Sequence, residues 1–284
     1  MKRLFLVMIA VSALMCGCKK ALAPSGDATP HPRVVSLSPS LTQMLFDMGL
    51  GEHVVGVTTQ DKLPAGQARP VVGDAFSVNT EAVQNTEPDV VMIQMNPSRL
   101  EGVRRLCPKV QIEHFKIETL EDLAAAMERS AALAGNAQAG KDAAAGFRSS
   151  LKDIRRKVEG RERPRVLFIT DFETLGTAGR GTFIDDMIHV AGGANVAANY
   201  TGWALMTTEG ILAGAPDIVI CQVNPGQEEH ALAFWKWLKD LPAVKSGRLF
   251  MVTDRRWTIP SKALVGFTSD LAAMIHPETR EGGS

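Results

Sequence analysis

The chain has 284 residues, of which 45% are hydrophobic and 22% are charged, and its 31 basic and 31 acidic side chains give a formal net charge of zero. This composition is that of an ordinary globular protein and argues against a disordered or fibrous chain. The neutral balance argues against nucleic acid as a partner, and the length suits two domains that each bury their own core.

The first eighteen residues have the pattern of an export signal. Lys2 and Arg3 precede an uninterrupted run of twelve apolar and small residues at 4–15, which is shorter than the about 20 residues that span a bilayer. A glycine and Cys18 follow, and this ending resembles a bacterial lipoprotein signal, in which the cysteine is lipidated and becomes the new N-terminus. We therefore predict a signal peptide at 1–18, lipidation at Cys18, and an exported protein that is lipid-anchored to a membrane in the periplasm or on the cell surface. A plain secretory signal is the alternative.

A tether and then alternating strands and helices follow the signal. Residues 19–32 are rich in proline, alanine, serine, glycine and threonine without apolar periodicity, which is typical of a flexible linker. From Arg33 onward, the pattern predicts a helix at 40–48 that ends at Gly49, and strands at 33–37, 54–57, 89–93 and 110–112. This alternation predicts a parallel sheet flanked by helices.

A different period appears in the middle of the chain. Within residues 140–160, apolar side chains recur at spacings of three and four, at Ala144, Phe147, Leu151, Ile154 and Val158. This is the pattern of a long amphipathic helix, which with its alanine-rich approach reaches roughly 30 Å at 1.5 Å per residue. A coiled-coil dimer is the alternative, but about three heptads are marginal for one. We therefore predict a monomer whose helix packs along both lobes.

The second half repeats the elements of the first. The pattern predicts a helix at 182–190 and strands at 165–169, 217–220 and 248–252. In addition, the segment 80–97 reappears 128 residues later as 208–225, with its Thr-Glu, Pro-Asp and Asn-Pro pairs at the same spacing. A repeat this long indicates a duplicated domain with a cleft between two lobes. The predicted domains are an N-terminal lobe at 33–135, a connecting helix at 136–161 and a C-terminal lobe at 162–284.

An ordered set of motifs resembles one family. The motifs are Arg33-Val34-Val35-Ser36-Leu37-Ser38-Pro39-Ser40, Gly49-Leu50-Gly51, Val55-Gly56-Val57, Val72-Gly73-Asp74, Gly181-Thr182-Phe183-Ile184-Asp185 and Ala191-Gly192-Gly193-Ala194-Asn195-Val196. From Arg33 to about Ile275 the chain resembles the iron-chelate and cobalamin binding proteins of bacterial ABC importers, the class III binding proteins with a helical backbone. The resemblance implies two Rossmann-like α/β lobes joined by one long helix. It also implies a small-molecule metal chelate as ligand and an ABC permease dimer with its ATPase as partner.

Glu81 and Glu209 occupy equivalent positions of the repeat. In the family, one glutamate on the outer surface of each lobe meets arginines of the two permease subunits, and the resemblance implies this role for both residues. Asn79 and Thr207 fit as helix N-caps, which would place each carboxylate in a first helical turn, where the helix dipole stabilises it by about 0.3–1 kcal/mol. Both interpretations are compatible, because such a carboxylate is also exposed.

The candidates for ligand contact follow the predicted strands, because open parallel sheets bind ligands beyond the carboxyl ends of their strands. Phe76 precedes Glu81 by five residues and Trp203 precedes Glu209 by six, so each lobe offers one aromatic ring for stacking on a flat macrocycle. For Phe76, a place in the core is an equal alternative. The candidate set is Ser38, Gln60, Asp61, Phe76, Asn96, Phe172, Trp203, Arg255, Arg256 and Trp257, with Ser40, Asp171 and Asn224 beside them.

The expected ligand is a corrinoid such as cobalamin or a ferric siderophore, and no resident cofactor or protein-bound metal is expected. Trp203 corresponds, by its distance from Glu209, to an aromatic that cobalamin receptors use. Haem is an alternative, with Tyr200 as axial ligand. A receptor for bare zinc or manganese is disfavoured, because the histidines are expected away from the strand ends. No catalytic Ser-His-Asp order or phosphate loop is present, which argues against an enzyme, and an orphan sensor or scaffold of the same fold is a further alternative.

Overall fold

The computed structural model describes residues 31–74 and 76–278. The predicted signal peptide, the lipidation site Cys18 and the predicted tether up to Pro30 lie outside the described residues. Within the described ranges, every helix is too short or too polar to cross a membrane.

The first lobe is built on a five-stranded sheet whose neighbouring strands are all parallel. Parallel neighbours need long crossover connections, and helices supply most of them. The strands are β1 (Val34–Ser36), β2 (Val54–Thr58), β3 (Val71–Gly73), β4 (Val90–Ile93) and β5 (Gln111–His114), in the spatial order β3-β2-β1-β4-β5. The helices are α1 (Pro39–Asp47), α2 (Thr80–Asn85), α3 (Glu101–Leu106) and α4 (Leu120–Leu133).

Three elements of this lobe were not predicted from the sequence, β3, α3 and α4. Strand β3 has only three residues, one of which is a glycine, so its sequence signal is weak. Helix α4 begins with a capping box in which the Thr119 hydroxyl accepts a hydrogen bond from the Asp122 amide at 3.0 Å and the Asp122 carboxylate accepts one from the Thr119 amide at 2.9 Å. This Thr-x-x-Asp spacing is a sequence signal that could have located the helix.

The connecting helix α5 runs over Ala137–Lys157, three residues earlier at each end than the segment whose period predicted it. Four members of its apolar stripe are buried, and Leu151 is half-buried. The stripe packs against other helices of the same chain, so the prediction of a helix packed along both lobes is confirmed.

The second lobe has a six-stranded mixed sheet rather than a purely parallel one. Its strands are β6 (Arg165–Asp171), β7 (Gly176–Ala178), β8 (Ala194–Asn195), β9 (Trp203–Leu205), β10 (Ile218–Gln222) and β11 (Leu249–Val252). Strands β8, β10 and β11 extend the parallel arrangement of β6, whereas β7 is antiparallel to β6 and β9 is antiparallel to β7. The helices are α6 (Phe183–Val190), α7 (Thr208–Gly214), α8 (Glu228–Trp237), α9 (Pro242–Lys245) and α10 (Leu264–Ile275).

The turn between β6 and β7 explains why this sheet is mixed. The Asp171 carboxylate accepts hydrogen bonds from the Thr174 amide at 3.0 Å and hydroxyl at 3.1 Å, and Leu175 has a φ of 52°. So short a connection reverses the chain and permits only antiparallel pairing. The all-parallel prediction is therefore wrong for β7 and β9.

One hydrophobic core is shared by the two lobes. It contains Val34 and Leu41 of the first lobe, Phe147 of α5, and Val166 and Phe183 of the second lobe. Helix α5 contacts α4 of the first lobe and α6 and α10 of the second. A hydrogen bond of 2.9 Å also crosses the lobes, from the Leu120 amide of α4 to the carboxylate of Asp186 on α6, and burial raises the pKa of Asp186.

The repeated segment forms the same crossover in both sheets. In each, the chain leaves an edge strand, passes through a helix and enters a strand on the far side of the central one, as β3-α2-β4 and as β9-α7-β10. The repeated Pro-Asp pair also has one structural role. Asp89 accepts a hydrogen bond from the Arg33 amide at 2.8 Å, and Asp217 accepts one from the Arg165 amide at 2.8 Å, so each aspartate fixes the start of the central strand of its lobe.

Candidate functional site

The carboxyl ends of the strands of the second sheet form one candidate binding edge. The register pairs Gln222 with Val252 and Asp171 with Gly176, and Gly176 pairs in turn with Leu205. These five residues lie along one edge, where open α/β sheets bind ligands. A small pocket opens there, between the end of β6, the end of β10, the loops that follow them and one arginine after β11.

Phe172 lies in the wall of this pocket. Its ring is half-buried and makes edge-on contacts with the rings of His230, at 5.5 Å between centroids, and Phe234, at 5.6 Å. These contacts hold the ring against α8 and leave part of it accessible. Ligand contact by Phe172 stays a prediction.

Three neighbouring candidates in the segment after β11 have different surroundings. They are Arg255, Arg256 and Trp257. Arg255 is exposed in the pocket wall and makes no side-chain hydrogen bond or ion pair with the described residues. Arg256 is paired with Asp254 at 2.6 Å and lies 5.7 Å above the Phe267 ring. Hydrogen bonds from the Arg256 side chain hold the pKa of the Asp254 carboxyl below its usual range. Arg255 is therefore the one of these two arginines that is free to meet a ligand.

The prediction that Trp257 contacts ligand is wrong for this structure. Its side chain is 4% exposed, and its ring packs against Phe168 at 5.8 Å and Phe267 at 4.8 Å between centroids. The indole therefore contributes to the shared core, because its neighbours on β6 and α10 cover it.

Strand β9 presents an exposed apolar strip at the edge of the second sheet. Trp203 is 47% exposed and Leu205 is 66% exposed, and because they are two residues apart in a strand they lie on the same face. The buried Phe183 ring supports the indole edge-on at 5.3 Å between centroids. A large apolar surface in fixed orientation is suited to stacking on a flat ligand.

In the first lobe, Phe76 follows the edge strand β3 and is 79% exposed, so a place in the core is excluded. The Asp74 carboxylate accepts hydrogen bonds from the amides of Phe76 and Ser77, each at 2.7 Å, and these bonds lower the pKa of Asp74. Arg99 donates to the Phe76 carbonyl. The loop is therefore held by its own polar groups, and the ring points away from the core.

Two polar candidates of the first lobe have local structural roles. Asp61 accepts hydrogen bonds from the Thr58 amide and hydroxyl, each at 2.7 Å, and Asn96 accepts one from the Ser98 amide at 3.0 Å. These bonds fix the turns after β2 and β4. Gln60 is exposed, without a side-chain bond to the described residues. Contact of these three side chains with ligand stays a prediction.

Two glutamines at equivalent repeat positions, Gln94 and Gln222, were not among the candidates. The Gln94 side-chain oxygen accepts hydrogen bonds from the buried Ser38 and from Ser40, the latter at 3.0 Å. The Gln222 side chain is 7% exposed, and its oxygen has no partner among the described residues. The repeat itself was the sequence signal for this pair.

Glu81 and Glu209 are both exposed, at the second residue of α2 and of α7. The predicted N-caps are confirmed, since Asn79 accepts a hydrogen bond from the Ala82 amide at 2.9 Å and Thr207 accepts one from the Gly210 amide at 3.1 Å. Hydrogen bonds from its own amide and from the Thr207 hydroxyl lower the pKa of Glu209. The two helices therefore present the same charged group at the same helical position.

A larger groove, of about 1050 Å³, lies along α5 between α4 and α6. Its rim is rich in arginine and lysine, and its floor includes Phe147 and Leu151. It is lined by helices and by the loops that lead into β6 and β8, away from the carboxyl ends of the strands, and no sequence motif predicted it.

Metal-ligating side chains are scattered rather than clustered. In the part of the chain that the structure describes, no group of three or more His, Cys, Asp or Glu residues is placed to hold a metal ion. One expectation needs correction, since His114 is the last residue of β5 and does lie at a strand end.

Two α/β lobes on one connecting helix, with candidate contacts at strand ends and a matched pair of exposed glutamates, define the class of two-lobed binding proteins. Residues 34–255 match the family model described as periplasmic binding protein. The chain belongs to this family, and it is a binding protein of the ABC-importer type.

Named relatives agree with this class. An ABC transporter substrate-binding lipoprotein of Bacillus subtilis, YvrC, is 29% identical over 87% of this chain and 81% of its own length. A cobalamin-binding protein of Halobacterium salinarum is 32% identical over 89% of this chain and 71% of its own length. The crystal structure of the vitamin B12 binding protein BtuF of Vibrio cholerae has the same fold, with a TM-score of 0.73 at 20% identity over 89% of this chain and 99% of that one.

Proposed function

We propose that this protein captures a corrinoid between its two lobes outside the cytoplasm and delivers it to an ABC permease. The observation that carries the proposal is the exposed strip of Trp203 and Leu205 on β9, with Phe183 supporting the indole. The Halobacterium relative, which is named as cobalamin-binding, supports the same ligand class. Because a corrinoid already contains its metal, the binding site needs only apolar faces and polar side chains to hold it.

Other chelates compete with this assignment. Tyr200 is 36% exposed, three residues before Trp203, and a tyrosine in this place favours haem as the second candidate. A ferric siderophore is the third. Direct binding measurements decide among the three.

The test of ligand class is a thermal-shift series with cobalamin, cobinamide, haem and ferric siderophores. A corrinoid at 100 times its dissociation constant should stabilise the fold by about 2.7 kcal/mol. Trp203→Ala should remove most of this shift, because it deletes the stacking surface. Trp237→Ala is the matched control, since Trp237 lies on α8 and is 73% exposed. A shift with haem alone would contradict the corrinoid assignment.

We also propose that Glu81 and Glu209 dock the protein on the permease, through arginines of its two subunits. Both carboxylates are exposed in first helical turns, so they are accessible and oriented by their caps. The double variant Glu81→Ala with Glu209→Ala should keep full affinity for cobalamin and lose stimulation of the permease ATPase in proteoliposomes. Glu229→Ala is the control, because Glu229 is also exposed in the first turn of a helix. Unchanged stimulation by the double variant would refute the docking role.

The membrane anchor is a separate proposal. The Bacillus relative is named as a lipoprotein, and Cys18 follows the signal-like segment of this chain. Cys18→Ser should abolish incorporation of labelled palmitate and release the protein from the membrane fraction. Retention of the label by this variant would exclude Cys18 as the modified residue.

A further inference from the structure

Gln94 and Gln222 are equivalent in sequence and in the fold, yet their surroundings differ. In the first sheet, Ser36 pairs with Met92, and in the second sheet the equivalent pair is Phe168 with Ile220. Each glutamine follows the second member of its pair by two residues. The two glutamine side chains therefore occupy the same position along the strand direction in their two sheets.

The partners of the first glutamine are missing in the second lobe. Two and four residues after Ser36 stand Ser38 and Ser40, whose hydroxyls donate to the Gln94 oxygen. Two and four residues after Phe168 stand Thr170 and Phe172. A phenylalanine has no donor, and the Thr170 hydroxyl makes no hydrogen bond to the second glutamine, whose oxygen has no partner among the described residues.

Gln222 is 7% exposed and lies in the wall of the pocket at the strand ends. Buried polar side chains are almost always hydrogen-bonded, so an unpaired one calls for a partner from outside the chain. The backbone of Gln222 is fixed by its ladder with Val252 of β11 and its neighbour Cys221 pairs with Ile169 of β6. The backbone that carries this acceptor is therefore fixed before any ligand arrives.

The charges around the pocket indicate what kind of group fits. Two carboxylates, Asp171 and Glu173, stand beside the single guanidinium of Arg255. Asp171 accepts bonds from Thr174 through one oxygen, and Glu173 accepts one from Gln227 at 2.8 Å through one oxygen, so each keeps a second oxygen for a ligand donor. An acceptor-rich pocket with more negative than positive charges repels a carboxylate and accepts N–H groups.

We propose that this pocket, with Gln222 in its wall, binds a primary carboxamide on the rim of the ligand. The carboxamide N–H groups donate to the Gln222 oxygen and to a carboxylate oxygen, and its carbonyl accepts from Arg255. This inference rests on the proposed function, because corrinoids carry primary carboxamides around their ring where haem carries carboxylates. The pocket would then select for the amide form of the ligand.

The test compares two corrinoids that share the ring and its metal and differ in these side chains. They are dicyanocobinamide, whose side chains are primary carboxamides apart from one aminopropanol amide, and dicyanocobyrinic acid, whose side chains are carboxylates. Titrations monitored by tryptophan fluorescence at pH 7 should show that the wild-type protein binds the amide at least about tenfold more tightly than the acid. Gln222→Met keeps the size and removes the acceptor, and should cut this preference at least threefold by weakening amide binding. Gln138→Met, at an exposed position of α5, should leave it unchanged.

A second variant covers the case in which the buried substitution disturbs folding. Glu173 is exposed, and Glu173→Gln should improve binding of the acid severalfold by removing a repulsive charge. If the wild-type protein binds neither corrinoid, the proposed function and this inference are both overturned. If it binds both corrinoids equally, or if the two variants keep the full preference, only this inference fails and the corrinoid assignment stands.

Discussion

The shared core along α5 can be tested by removing one of its large side chains. Phe147 is 3% exposed and belongs to the cluster that contains residues of both lobes. Replacing a buried phenylalanine by alanine costs about 3–5 kcal/mol, because the lost contacts leave a cavity that the surroundings fill only in part. For a folded region of this size, about 1 kcal/mol corresponds to 2–4 °C in Tm. Phe147→Ala should therefore lower the Tm by about 6–20 °C.

The measurement is thermal unfolding followed by circular dichroism and calorimetry, with Lys152→Ala as the control. Lys152 is exposed on the same helix, so its removal should change stability by no more than about 0.5 kcal/mol. Because the core is continuous, the two lobes should unfold in one transition. Two separate transitions in the wild-type protein, or a Tm loss for Phe147→Ala as small as that of the control, would refute the idea that α5 joins the lobes into one cooperative unit.

Three further predictions concern charge, reactivity and motion. Burial alone would raise the pKa of Asp217, but hydrogen bonds from Arg165 outweigh it and lower the pKa. The stabilisation by the Asp217 carboxylate is complete above the unfolded pKa of about 3.9 and is lost as the pH falls through the lower folded pKa. Asp217→Asn should therefore reduce the dependence of the unfolding free energy on pH below about pH 4, and an unchanged pH dependence would contradict this. Burial raises the pKa of the Cys221 thiol to about 11, so iodoacetamide at pH 8 should label the half-buried Cys107 first, and mass spectrometry that finds early labelling at Cys221 would be the opposite result. The radius of gyration from small-angle scattering should change by less than about 1 Å on saturation with cobalamin, whereas a large compaction would show that the lobes move on a flexible hinge.

The sequence predicted the elements whose signals are local. The central strands β1 and β6 are short apolar runs, and the spacing of three and four along α5 needs no knowledge of its neighbours. The hairpin of β6 and β7 was missed because it depends on a turn with a positive φ at Leu175 and on a strand of Gly, Thr and Ala, which carries little apolar signal.

The candidate site was predicted less well than the fold, because exposure depends on residues far away in sequence. Arg255, Arg256 and Trp257 are consecutive residues after a strand, and the sequence gives all three the same expected exposure. In the structure, Arg256 is paired with Asp254, and Trp257 is buried against the rings of Phe168 and Phe267. The repeat shows that Gln222 is equivalent to Gln94. The repeat alone does not show that Gln222 lacks hydrogen-bond partners, because that depends on the register of β10 with β6.

The duplicated crossover leaves one region of the surface alike in the two lobes and another region different. At the starts of α2 and α7, a capped helix and an exposed glutamate are the same in both halves. At the strand ends, the first lobe has Ser38 and Ser40 where the second lobe has Thr170 and Phe172. A partner with two-fold symmetry would therefore meet equivalent chemistry on both lobes, while an asymmetric ligand would meet two different walls and take one preferred orientation between them.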